Sequence, residues 1–309
     1  MDVAVVIPNY NGARWLPGVL ESVAAQTVAP AEVLVVDDGS TDGSAEVAEA
    51  AGARVLRLER NGGFARAANA GVAATSAEAV ALVNTDVVLD DVWLESVVFA
   101  LGERDATVAT KLVDLADPAV LYSAGDVLRR DGVAEQRGRF ERDTGAYDAP
   151  GDVFSACAGA ALYRRAAFDA VGGFDERLGM YLEDVELGLR LRLAGWGCAW
   201  EPRAVARHAG GGSSGGPGAL IERNTLLLVA RYFRLRWLPL VAYRQLAWAW
   251  HAARDGRLRE HLSGARMALP LLRRFVRERK EWAMPVDEVI PARPIRGPRA
   301  GGHPSRHAA

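Results

Sequence analysis

The chain has 309 residues, half of them hydrophobic, and a formal net charge of −2. That size and balance suit one large globular α/β domain with an appendage, and near-neutral charge gives no ground for a nucleic-acid partner. Two cysteines, Cys157 and Cys198, are too few and too far apart for a disulfide framework or a zinc site, so they read as buried thiols of a reducing compartment.

The chain opens on Val3 to Ile7, a short apolar run stopped by Pro8 with no basic stretch before it, which is unlike a signal peptide and points to the cytoplasm. Val33 to Val36, Val55 to Leu58 and Val80 to Val83 are similar runs bounded by Gly, Asp, Asn or Pro, as expected of strands buried on both faces. Between them Trp15 to Ala25, Ser44 to Ala51 and Ala65 to Thr75 read as helices, with Gly52 placed to cap the second. This βα alternation predicts a mostly parallel sheet flanked by helices, with ligands beyond the carboxyl ends of its strands. Three of those ends carry polar clusters: Pro8-Asn9-Tyr10-Asn11, Asp37-Asp38-Gly39-Ser40 and Asn84-Thr85-Asp86.

No GxGxxG follows the first strand and no GxxxxGK[ST] occurs, so a dinucleotide fold of the usual kind and a P-loop are both disfavoured. A nucleotide would be held differently. Asp38 can accept the imino hydrogen of a uracil or thymine ring, Tyr10 offers an aromatic face, and Asp86 can carry a divalent metal beside a diphosphate. Each also has a plain structural reading, as a turn former, a core ring and a strand terminator.

Asp114 to Gly151 is rich in Asp, Gly and Arg, with a strand-like piece at Asp126 to Arg129, and reads as an insertion whose loops vary with function. Ser155 to Tyr163 is small-residue-rich and suits either a packed strand or close approach of a ligand or backbone. A short helix from Arg164 ends at Gly172-Gly173, after which Phe174 anchors a loop; Trp196 reads as core. In Tyr181 to Trp196, Glu183 and Asp184 open a helix whose arginines lie near its other end. That is an ordinary acidic first turn, or a carboxylate placed to remove a proton. His208, followed by Ala209 and the glycines 210–212, is a surface loop residue or a metal ligand, and 210–218 is flexible enough in composition to act as a lid.

From Ala219 to Glu281 leucines and arginines alternate around Tyr232, Trp237, Tyr243, Trp248 and Trp250. No run reaches the roughly 18 apolar residues of a spanning helix. Three readings stay open for these helices: an interfacial pair on an anionic membrane surface, a cap on the catalytic domain, or a homodimer contact. Truncation after about Gly218 is expected to leave nucleotide binding intact. The end of the chain, with its Pro, Gly and His residues, is expected to be disordered.

VVIPNYNG, QTVAPAEVLVVDDGSTDGS, NGGFARAANAG, LVNTDVVLD, VGGFDERLGMYLEDVELGLRLRLAGW and the Pro202 to His208 spacing resemble, in order, family 2 glycosyltransferases of the GT-A fold, and within them bacterial rhamnosyltransferase-type enzymes. The resemblance covers roughly residues 1 to 215. It implies a GT-A domain over 1–217, divided into a nucleotide-sugar half (1–105) and an acceptor and catalytic half (106–217), a helical extension over 218–285 and a tail over 286–309. It also implies inverting transfer from a nucleoside diphosphate sugar, of dTDP or UDP type, to a glycan or lipid-linked acceptor. Asp184 would be the base; Pro8, Tyr10, Asp38, Arg66, Asn69, Asn84 and Thr85 would surround the nucleotide; Asp86 and His208 would hold Mg or Mn; and Glu183 would be structural. The family's metal motif often has acids at both outer positions, whereas here the first is Asn84, which implies weaker metal affinity. The alternatives are a catalytically silent nucleotide-sugar or partner-binding module, and a sugar nucleotidyltransferase. The latter would want a basic, glycine-rich loop after the first strand, where Asn9 to Trp15 supplies only Arg14.

Overall fold

The computed structural model describes residues 1–210, 218–279 and 284–291. Strands β1 (Val3–Asn9), β2 (Glu32–Asp37), β3 (Arg54–Arg57) and β4 (Ala79–Val83) alternate with helices α1 (Leu16–Ala24), α2 (Ser44–Ala50) and α3 (Phe64–Ala73). Next come β5 (Val87–Leu89), α4 (Trp93–Ala100), β6 (Asp105–Asp114), β7 (Leu121–Ser123), β8 (Asp126–Leu128), β9 (Ala134–Gln136), β10 (Gly151–Asp152) and β11 (Ala160–Arg164). The chain continues through α5 (Arg165–Val171), α6 (Glu183–Leu193) and β12 (Gly197–His208) to the helices α7 (Gly218–Tyr232), α8 (Leu238–Arg254), α9 (Leu258–Arg277) and α10 (Val286–Val289).

The large sheet runs β10-β12-β6-β11-β4-β1-β2-β3. Pairing is parallel from β4 through β1 and β2 to β3, as the βα alternation predicts, and every residue of β1 and β4 is buried. Beyond β4 the sheet is mixed, because β11 enters antiparallel between β4 and β6. One face is covered by α3, α5 and α6, whose Ala67, Phe168 and Leu187 pack over Val6 and Val36. The opposite face carries α1 and α4, with Leu16 and the fully buried Trp93 against Val5 and Ile7. α3 lies close on the sheet because Gly71 has no Cβ, which would run into the side chain of Val6.

A third core explains the C-terminal helices. Val185, Leu189 and Leu193 of α6 face away from the sheet and meet Leu227, Leu228 and Phe233 of the α7 region, Ala268 and Phe275 of α9, and Val286 and Ile290 at the chain's end. Leu227, Leu228, Phe233 and Phe275 are fully buried. Each stabilises by about 1.5–3 kcal/mol, so together they match the net stability of a whole domain. This bears on two expectations. Much of the region from 218 packs as a cap on α6, one of the three readings open for it, so truncation at Gly218 would uncover α6. The tail expected from 286 also begins later, because Val286 and Ile290 are buried and Arg130 donates to the carbonyls of Asp287 and Ile290. The stretch expected as a lid falls, over 211–217, outside the described residues, as does the tail from 292.

Candidate active site

The loops after β1 and β2 are laced together by short polar side chains. Asn9 Nδ2 donates to Asp37 Oδ1 (2.9 Å) and to Ser40 Oγ (3.2 Å). The Asn11 amide donates to Ser40 Oγ, the Thr41 amide to Asn11 Oδ1, and the Gly12 amide to Ser44 Oγ. Asn9 and Ser40 stand in the polar clusters visible in the sequence, but the bonding that joins the two loops through them and Ser44 was not foreseen, although DDGSTDGS is a turn-forming composition whose side chains bond neighbouring backbone. Tyr10 stands on this frame with 51% of its surface exposed, so its ring is free to meet a base. Pro8 lies within β1 opposite Val36, and Thr85 sits beside Gly12, where a Cβ would come within 3.3 Å of it.

Asp38 is buried, and its carboxylate accepts from the Gly62 amide (3.0 and 2.9 Å) and the Gly63 amide (2.8 Å). Burial pushes its pKa up, while these amides and the charge of Arg66 pull it down. Asp38 therefore shapes the loop that enters α3. Arg66, in the first turn of α3, reaches back over that loop and donates to the carbonyl of Arg60 (3.1 Å). Asn69 is expected beside the nucleotide. Its Nδ2 donates to the Phe174 carbonyl (3.0 Å) and to Glu176 Oε1 (3.2 Å), and its Oδ1 accepts from the Phe174 amide (2.9 Å). It clamps the loop leading to α6, with the buried Phe174 anchoring that loop among Phe64, Tyr163 and Phe168.

At the end of β4 the chain brings two candidate metal ligands together. His208 closes β12 opposite Val87 of β5, and the Ala209 amide donates to the Asp86 carbonyl, so His208 Nε2 lies 3.4 Å from Asp86 Oδ1. His208 is buried, which holds its pKa below the usual histidine value and leaves it neutral; its Nδ1 has no hydrogen-bond partner. A neutral imidazole beside a carboxylate is a donor set that suits a divalent cation. No group of three or more His, Cys, Asp or Glu residues that could hold a metal occurs among the described residues. Asp86 and His208 thus offer two ligands, and the remaining positions would fall to phosphate and water, as is usual for Mg. Asn84, half-buried at the head of this turn, donates its amide N–H to the Gly159 carbonyl (2.8 Å).

Asp184 occupies the first turn of α6. Its carboxylate accepts from the amides of Val185 (2.8 Å) and Ala158 (3.2 Å), and it remains half-buried while its neighbour Glu183 is buried with Oε2 unpartnered. Burial and the charge of Asp184 hold Glu183 well above the carboxylate range, so Glu183 is neutral; Asp126 is raised for the same reasons. Asp184 is also raised by burial, and the amides of Ala158 and Val185 work against that rise. The segment before it is strained: Tyr181 (φ 69°) and Leu182 (φ 65°) are successive left-handed residues without being glycine. Asn224 of α7, fully buried, holds that segment by donating Nδ2 to the carbonyls of Leu178 (3.1 Å), Met180 (3.1 Å) and Tyr181 (2.6 Å). Sequence reasoning missed Asn224. Cys157, expected to be a buried thiol, is half-buried in the loop before β11, and Gln136 Nε2 donates to its Sγ (3.4 Å).

The family model described as glycosyl transferase family 2 matches residues 4–172. N-acetylglucosaminyl-diphospho-decaprenol L-rhamnosyltransferase of Mycobacterium tuberculosis is 31% identical over 239 residues, covering 68% of this chain and 77% of the relative. Glycosyltransferase GlyG of Streptococcus pneumoniae is 34% identical over 111 residues, which are 34% of this chain but only 37% of GlyG. Among solved structures, GalNAc-T7 with UDP, GalNAc and Mn2+ superposes with a TM-score of 0.61 at 17% identity, covering 75% of this chain and 48% of that one, a likeness of fold.

Proposed function

The chain belongs to glycosyl transferase family 2, and from that premise we propose that it moves a sugar, with inversion, from a nucleoside diphosphate to a hydroxyl of a glycan or lipid-linked acceptor. The observation that carries this reading is the meeting of Asp86, His208 and the Asp184 loop around the segment before β11, at the edge where the parallel strands end. Asp184 takes the proton of the acceptor hydroxyl as its oxygen attacks the anomeric carbon from the face opposite the diphosphate; one displacement inverts that centre. A divalent cation held by Asp86 and His208 would offset the charge of the departing diphosphate. Tyr10 offers its ring to the base, while Asp38 and Arg66 keep the loop beneath the nucleotide in shape.

A dTDP- or UDP-linked deoxysugar such as rhamnose is the proposed donor, supported by the rhamnosyltransferase relative, and the diphospho-lipid in that relative's name supports a lipid-linked acceptor. The test is a panel of nucleotide sugars incubated with Mg or Mn, read as nucleoside diphosphate release and as the anomeric configuration of the product by NMR. Release from no donor would remove the transferase reading in favour of a silent binding module. Pyrophosphate-dependent formation of the donor would favour a nucleotidyltransferase.

Attachment to an anionic membrane surface belongs to the same proposal. Among the described residues no helix is long and apolar enough to cross a membrane. α8 nevertheless turns Pro239, Tyr243, Leu246 (72% exposed) and Trp250 (66% exposed) to solvent along one face, and α9 exposes Arg259, Arg266, Arg273 and Arg277. Apolar and basic faces on neighbouring helices suit insertion among anionic headgroups. Trp237 and Tyr232 are buried and Trp248 is half-buried, so among the described residues of these helices Trp250 is the tryptophan available for such contact. Binding to anionic vesicles that weakens with salt and with Leu246→Glu supports the attachment; equal binding to neutral vesicles counts against it.

A further inference from the structure

Two neighbouring residues beside the site have no role in the reading above. Phe140 is 66% exposed and sits at φ 64°, a left-handed conformation that a bulky side chain rarely adopts. It is held there: the Phe140 amide donates to the Leu121 carbonyl (2.9 Å), the Ala124 amide to the Arg137 carbonyl (2.9 Å) and the Arg137 amide to the Gly125 carbonyl (2.8 Å). Arg139 places its guanidinium 4.7 Å from the ring centre of Tyr122 and 4.9 Å from that of Phe140, and donates to Gln136 Oε1. It forms no ion pair among the described residues. Tyr122 in turn lies against His208, with ring centres 4.2 Å apart and planes tilted by 40°. A continuous run of contacts through Phe140, Arg139, Tyr122 and His208 therefore leads from open solvent to the Asp86–His208 pair.

We propose that Arg139 and Phe140 form an acceptor subsite that takes a sugar bearing a phosphate, with the sugar ring against Phe140 and the phosphate on Arg139; this rests on the transferase reading. An exposed aromatic ring with one open face is a stacking surface for the apolar face of a sugar. A guanidinium held between rings with no carboxylate partner is pre-organised for the paired oxygens of a phosphate. Arg139 attaches through Tyr122 and β7 to β6, away from the nucleoside side, where Tyr10 and Asp38 lie at the ends of β1 and β2, but one ring from the Asp86–His208 pair. Its solvent-facing position beside the exposed Phe140 suits an acceptor's phosphate, and the nucleotide titrations tell that phosphate from the donor's.

Calorimetry on the full chain tests this. UDP and dTDP are titrated first with Mn2+; then, in the presence of nucleotide, glucose, N-acetylglucosamine and rhamnose are each compared with their 1-phosphates. At least one 1-phosphate should bind about tenfold more tightly than its free sugar, Arg139→Gln should erase that margin, and Arg139→Lys should keep part of it. Phe140→Ala should weaken the sugar and its phosphate alike, with Phe140→Trp restoring both, while nucleotide affinity stays within about twofold throughout. If no 1-phosphate outbinds its sugar, or if Arg139→Gln weakens nucleotide binding instead, the subsite is overturned. Failure of both nucleotides to bind the unaltered chain counts against the transferase reading, and the sugar phosphates alone, titrated without nucleotide, then decide the subsite.

Discussion

Replacing Asn224 with Ala should separate the holding of the base from the binding of the donor. Two amide hydrogens of Asn224 are shared among three carbonyls in a site closed to water. At about 1 kcal/mol net per neutral bond, and with carbonyls left unpaired, the loss is about 2–3 kcal/mol. The segment released contains Tyr181 and Leu182, whose left-handed backbones each cost about 1–3 kcal/mol, so it gains by relaxing once the clamp is gone. Asp184 follows Leu182 by two residues, and a shift of the base by about 1 Å costs on the order of 100-fold in turnover. Steady-state transfer, calorimetric nucleotide affinity and thermal unfolding are measured together. Turnover of Asn224→Ala should fall about 100-fold and Tm by about 4–10 °C, with nucleotide affinity little changed. A lowered Tm with normal turnover would refute the reasoning, because the strained segment would then hold its shape without the clamp.

Asp184→Asn keeps the side chain's shape and removes its proton affinity, so turnover should drop about 100-fold or more while nucleotide affinity persists; near-normal turnover would exclude Asp184 as base. Burial raises Asp184, so in the unaltered protein turnover should rise with pH along a limb lying above the ordinary aspartate range. EDTA should abolish transfer and Mn2+ or Mg2+ restore it, whereas Asp86→Ala should resist rescue; full activity in chelator would give Asp86 another task. Glu222, buried between α7 and α9 near His261 and Gln245, is raised by burial to about 7. The folded state therefore holds its proton more tightly than the unfolded chain, and the associated stability, about 3 kcal/mol, is present below the ordinary glutamate range and lost as pH rises through about 7. Glu222→Gln should flatten that slope between about pH 5 and 8 in denaturant titrations; an unchanged slope would show that Glu222 does not titrate there.

The first half of the fold was legible because its strands are buried on both faces and so read as unbroken apolar runs, each ending in a visible polar cluster. Asp86, Asp184 and His208 were legible as residue types at strand and helix ends, and the structure brings Asp86 and His208 within 3.4 Å of each other. The direction of β11 was not legible, because a five-residue strand packed on both sides looks the same whichever way it runs. Nor was the role of Asn69, whose partner Phe174 is 105 residues away. α6 carries apolar residues on two sides because it lies between the sheet and α7. Its packing partner α7 shows a leucine face that would look alike against a protein core or a bilayer. The strain at Tyr181 and Leu182 carried no glycine or asparagine to announce it.

The antiparallel entry of β11 has a consequence for anyone reshaping this enzyme. Because β11 begins where β4 ends, the five residues from Ser155 to Gly159 touch every working part: Ser155 donates to Asp126 (3.1 Å), the Ala158 amide to Asp184 (3.2 Å), and the Gly159 carbonyl accepts from Asn84 (2.8 Å). Gly188 of α6 lacks the Cβ that would collide with Ser155, so even the helix carrying Asp184 rests on this strip. On the proposed function, acceptor preference, proton removal and cation affinity would all hang on one short common bearing. Libraries aimed at 155–159 should yield epistasis in place of independent gains, with substitutions that widen the acceptor range also loosening the cation, whereas changes at Tyr10 or Phe140 leave the bearing untouched.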